Sequence, residues 1–75
     1  GVGDEGLKVI TYKELRRKLT RLGFMEIRTT KHRVYFNAEQ NITIPVPSHS
    51  GDVPRGLLRK IIKEIGISVK EFNAV

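Results

Sequence analysis

The sequence contains no cysteine. It therefore has no disulfide framework, no thiol nucleophile and no cysteine-based zinc site. No apolar run approaches the roughly 20 residues that cross a bilayer. Nor is there an apolar core of about 7–15 residues near the start, as a secretory leader requires. These absences predict a soluble, cytoplasmic domain with no membrane partner. Metal ligands are also scarce. Two histidines, His32 and His49, and scattered carboxylates do not supply the three or four close ligands of a metal centre, so neither a metal nor a cofactor is expected. No P-loop and no Gly-rich dinucleotide turn is present. The strand and loop region has no carboxylate pair for glycosidase chemistry. The one methionine is Met25, so Gly1 reads as what initiator removal or tag cleavage leaves behind.

Positive charge is what the chain has in excess. Fourteen Lys and Arg against eight Asp and Glu give a net charge of +6 over 75 residues, with a pI near 10.1. On so small a body that field favours a polyanion, nucleic acid before an anionic membrane. A chain of this length buries only about 60% of its unfolded surface, so its core is small.

Residues 1–6 read as a mobile tail and residues 7–75 as one domain. Thr11 and Glu14 form a capping box. Leu15, Leu19 and Leu22 follow on one stripe, and Gly23 supplies a helix end. The spacing predicts a helix over 12–22 with Arg16 and Arg17 on its other faces. Met25 and Ile27 then alternate with Glu26 and Arg28, Val34 and Phe36 with Arg33 and Tyr35, and Ile42, Ile44 and Val46 with Thr43 and Pro45. Three strands joined this briefly form an antiparallel meander. Asp52 or Val53 is the expected cap of a second helix, with Pro54 in its first turn. Leu57, Leu58, Ile61, Ile62 and Ile65 form its apolar stripe, and Gly66 ends it. Ser68 and Glu71 repeat the capping box and start a last short turn through Phe72.

This order predicts an α+β fold, a two-layer αβββα sandwich with both helices on one sheet face. Arg28, Arg33, Tyr35 and Thr43 are expected on the other, open face. Double-stranded-RNA-binding domains share the order, which keeps a non-catalytic RNA-binding module as the alternative to an enzyme. A basic protein-interaction domain is a third reading.

The reactive inventory leaves histidine acid–base chemistry in a basic setting. RNA carries its own nucleophile, the 2′-hydroxyl. Its cleavage needs a base, an acid and cations, and histidine exchanges protons near neutral pH. Pairing of the second and third strands places His32 opposite Val46 or Pro47, with His49 just beyond. His32, His49, Lys31, Arg33, Arg55 and a helix N-terminus are thus expected to converge at one end of the sheet. The plainer readings stand beside these. His32 shares parity with Val34 and Phe36, as a core-edge histidine would. His49 can brace a loop, the basic face of the first helix can be merely solvated, and Tyr35 can stack on a base or on nothing.

Lys13-Glu14-Leu15, Leu22-Gly23-Phe24, Arg28 through Tyr35, Thr43 through His49 and Val53 through Ser68 together resemble the HicA-type, or YcfA-like, mRNA interferase toxins over about residues 10–72. The resemblance implies the αβββα fold, RNA cleavage and inhibition by a HicB antitoxin. It also implies a catalytic histidine at the start of the second strand, which falls on His32. The family's exit-loop histidine falls on His49. Gly-Ser usually precedes the strand-two histidine, and Thr30-Lys31 stands there instead, offering Lys31 as an added phosphate contact. The combined reading is a metal-independent mRNA endoribonuclease toxin with His32 as catalyst and His49, Lys31 and Arg33 in support. RNA contacts are assigned to Arg16, Arg17, Arg28, Arg33, Tyr35, Arg55 and Arg59.

Overall fold

Thr11 and Glu14 open the first helix as their spacing predicts. In the computed structural model, which describes residues 6–75, the Glu14 amide donates to the Thr11 hydroxyl at 3.1 Å, and helix α1 runs Tyr12–Arg21. The tail expected over residues 1–6 lies outside the described residues except for Gly6. Gly23 turns the chain at φ +96°, a conformation that strains any residue with a Cβ. Three strands follow: β1 Met25–Thr29, β2 His32–Asn37 and β3 Ile42–Pro47. They pair antiparallel in the order β1-β2-β3. Helix α2 spans Arg55–Ile65 and ends on Gly66 at φ +85°. The Ser68 hydroxyl accepts from the Glu71 amide and caps α3, Val69–Ala74, so the expected last turn is a short helix.

Leu15 and Leu19 of α1 share one buried cluster with Tyr35, Ile44 and Val46 of the sheet and with Leu58, Ile61 and Ile62 of α2. Both helices therefore cover the same sheet face, in the α+β arrangement predicted. Phe72 of α3 completes the cluster. Lys18 ties α3 down: its Nζ donates to the carbonyls of Phe72 and Val75, each at 3.1 Å, and lies 5.3 Å from the Phe72 ring centre. Burial lowers the Lys18 pKa.

Three local expectations are corrected. The first concerns the start of α2. Pro54 itself occupies the cap position, and no side chain caps the helix. Asp52 and Val53 are engaged elsewhere. Asp52 bridges to Thr11, and the Val53 amide donates to the Ile10 carbonyl at 2.9 Å.

The second concerns the faces of β2. Tyr35 pairs with Ile44 and Arg33 with Val46, so Tyr35 and Arg33 share the helix-covered face, while His32, Val34 and Phe36 lie on the open one. The register across the 38–41 turn decides this, reinforced by Asn37. Its side-chain oxygen accepts from the Gln40 amide at 3.0 Å and its Nδ2 donates to the Leu22 carbonyl at 3.4 Å. Leu22 ends α1, on the helix side. Tyr35 and Arg33 then bury their apolar stems and carry their polar tips to the rim.

The third concerns β1. A bulge interrupts the pairing between Glu26 and Arg28. The extra residue shifts the alternation, so Glu26 opposite Tyr35 and Arg28 opposite Val34 fall on opposite faces.

Candidate functional site

Sheet edge β3 separates the open face from α2, and a groove of about 610 Å³ spans it. The sheet contributes Arg28, Thr30, His32 and Val34, then Thr43, Pro45 and Pro47 on β3. The flank of α2 contributes Leu57, Lys60, Ile61 and Glu64, one row at helical spacing. The floor is therefore apolar, and its walls bring together two cations, a carboxylate and an imidazole.

His32 opens β2 opposite Pro47, where register reasoning places it. Its residue is exposed, so the core-edge reading fails: the face it shares with Val34 and Phe36 is not the face the helices cover. The Thr30 amide donates to the His32 carbonyl at 3.1 Å and closes the β1–β2 turn. Asn41 is the one described non-glycine residue with positive φ. Thr30 and Lys31 therefore form the turn without a left-handed backbone, and no glycine is required there. No hydrogen bond or ion pair among the described residues engages the side chains of His32, Arg28, Lys60 or Glu64.

The wider convergence at the end of the sheet does not form. The ring of His49 stands edge-on to Tyr12, 5.8 Å between centres, and the His49 amide donates to the Pro47 carbonyl at 3.0 Å. Those contacts give it the loop-bracing role and leave it out of the groove. Arg33 is half-buried on the covered face and donates to Glu26 Oε1 at 3.1 Å. The Tyr35 hydroxyl donates to the same oxygen at 3.1 Å. The Thr29 hydroxyl donates to Glu26 Oε2 at 2.6 Å. Hydrogen bonds from Thr29 and Arg33 hold the Glu26 carboxyl below its usual range, and burial pushes the Tyr35 phenol up. Tyr35 is thus a bonded rim residue, 4% exposed, rather than a stacking platform on the open face.

The other predicted cations surround the groove without lining it. Lys31 projects from the β1–β2 turn and Arg55 from the start of α2, both exposed; Arg59 follows one turn later. On α1, Arg17 pairs with Glu14 and Arg16 is close enough to Tyr35 to act on its charge. Lys60 and Glu64 escaped sequence reasoning. The signal available was their i+3 and i+7 spacing from Leu57, which reads as a solvated flank until α2 is placed beside β3. Among the described residues no three His, Asp or Glu are grouped to hold a metal ion. No helix among them is long and apolar enough to cross a membrane.

Comparison with known proteins adds one family. No curated protein sequence matches significantly. A family model described as the HicA toxin of bacterial toxin–antitoxin systems matches residues 12–67, which takes in α1, the whole sheet and α2. Matched over most of its length, the chain belongs to the HicA family, whose members are toxins that imply a cognate antitoxin as partner.

Proposed function

We propose that this toxin is an mRNA endoribonuclease that binds RNA across the groove, uses His32 as its acid–base catalyst and is held by a HicB-like antitoxin. The observation that carries the reading is His32 itself. It is an exposed, unbonded imidazole at the mouth of an apolar groove with Arg28 on one wall and Lys60 on the other. An imidazole exchanges protons near neutral pH, and the flanking cations attract the phosphate backbone. In the reaction, His32 takes the proton of the 2′-hydroxyl. The 2′-oxygen bonds to phosphorus as the bond from phosphorus to the 5′-oxygen breaks, and the leaving oxygen takes a proton from water. The products carry a 2′,3′-cyclic phosphate and a 5′-hydroxyl. Arg16, Arg17, Arg55 and Arg59 extend the electrostatic footprint beyond the groove, where they guide longer RNA. Lys31, next to His32 in the turn, adds a phosphate contact at the mouth.

The test incubates end-labelled RNA with wild type and with His32→Ala, with and without EDTA. Cleavage by wild type to cyclic-phosphate ends, unchanged by EDTA, is expected. His32→Ala should lose about 10²–10⁴ in rate, the usual worth of a general acid–base group, and still bind RNA. Binding without cleavage by either protein would favour the RNA-binding module. A 5′-phosphate product would point to water as nucleophile and contradict the mechanism.

A further inference from the structure

The histidine reading leaves open which group stabilises the charge that builds on phosphorus. A pentacoordinate phosphate concentrates negative charge on its non-bridging oxygens, and a positioned cation there lowers the barrier. Most of the cations expected from the sequence do not line the groove. Arg33 is neutralised by Glu26 on the covered face, and Lys31 and Arg55 lie outside the groove. Two cations remain on its walls. Arg28 stands on β1 opposite Val34, two residues along β2 from His32, on the sheet side of the groove. Lys60 rises from α2 across β3.

We propose that Lys60 is a second catalytic residue, the cation that donates to the non-bridging oxygens of the phosphate attacked at His32, with Arg28 holding a neighbouring phosphate. This rests on the ribonuclease reading above. Three observations support it. Lys60 lines the same groove as His32. It has no ion-pair or hydrogen-bond partner among the described residues, although Glu64 follows one turn later on its helix. It also sits on a rigid base, because its neighbours Leu58, Ile61 and Ile62 are all buried in the core. A lysine ammonium is a compact point charge on a long stem, suited to follow a phosphate as it changes geometry. Glu64 sharpens the choice. Its carboxylate disfavours phosphate beside the turn of α2 that follows Lys60.

The test measures kcat and KM on one RNA substrate for wild type, Lys60→Met, Lys60→Arg and Lys63→Met. It also measures the affinity of each protein for the 2′-deoxy version of that substrate, which binds and cannot be cut. Lys63 lies on the same helix, exposed and outside the groove, and controls for lost net charge. Lys60→Met should lower kcat about 10²-fold, as loss of a transition-state donor typically does, with KM and deoxy-substrate affinity little changed. Lys60→Arg should recover most of the rate, and Lys63→Met should match wild type. Wild-type activity in Lys60→Met overturns the proposal, as does a loss confined to KM or an equal loss in Lys63→Met. If wild type itself does not cut, the ribonuclease reading fails, and the proposal with it. Cutting by wild type and Lys60→Met alike removes the proposal only.

Discussion

The two faces of the sheet use the same kinds of polar residue to opposite ends. On the helix-covered face, Glu26 receives Thr29, Arg33 and Tyr35, and further back Lys18 clamps α3. Each of these charges has a partner, and the bonds of Arg33, Tyr35 and Lys18 join separate elements. Around the β3 edge, Arg28 and His32 from the open face and Lys60 and Glu64 from the flank of α2 line one groove with none of their side chains bonded. A charge satisfied by its own fold is a structural device, whereas one left unbonded beside an apolar floor is free for a ligand. The contrast leaves Arg33 bonded within the frame and His32 free for the chemistry proposed for it, although the two are adjacent in sequence.

Ile61 belongs to both sides, since it is 2% exposed in the core and also lines the groove. Ile61→Ala should give the largest stability loss. Truncation of a buried aliphatic side chain costs about 2–5 kcal/mol, against a total of roughly 5 kcal/mol or little more for so small a domain. Urea unfolding should show a partly unfolded population, and an unchanged midpoint would mean that α2 does not pack as described. Tyr35→Phe is the sharper probe of the bonded face. It removes one hydrogen bond to Glu26 and should cost about 0.5–1.5 kcal/mol with RNA cleavage unaffected. Loss of cleavage without loss of stability would return Tyr35 to the site.

The smallest effect lies in pH. The folded-state pKa of Glu26 is lowered from its ordinary 4.5, chiefly by the hydrogen bonds from Thr29 and Arg33. A depressed carboxyl stabilises the fold above its unfolded-state pKa, and that contribution is lost as pH falls through the lower folded value. Melting curves of wild type and Glu26→Gln should therefore differ at neutral pH and converge as pH falls below 4.5 and through the lower folded-state value. Curves that stay equally far apart at acid pH would show that Glu26 acts through something other than its charge.

Much of the frame was legible in the sequence because it is written in local signals. Thr11 with Glu14 and Ser68 with Glu71 start helices, Gly23 and Gly66 end them, and the leucine and isoleucine stripes mark what they bury. The β3 faces also followed from simple alternation. The β2 faces did not, because Val34 and Phe36 form a more apolar set than Arg33 and Tyr35. Register with Ile44 and Val46, together with the bonds of Asn37, overrides hydrophobicity there. Alternation fails in β1 as well, since one bulge moves Glu26 and Arg28 to opposite faces. In the site, His32 falls where pairing predicts, opposite Pro47. His49 does not reach it, because its ring rests on Tyr12. Lys60 and Glu64 were invisible because a groove between a helix flank and a strand edge exists only once the helix is docked.

The division between frame and site is tested most directly by exchanging the two neighbours in one experiment: RNA cleavage rate and melting temperature for His32→Ala and Arg33→Ala, measured side by side with wild type. The account predicts a crossed result. His32→Ala should melt like wild type and cut at least about 10²-fold more slowly, while Arg33→Ala should melt lower and cut like wild type. A stable, inactive Arg33→Ala beside an unfolded or fully active His32→Ala would contradict it.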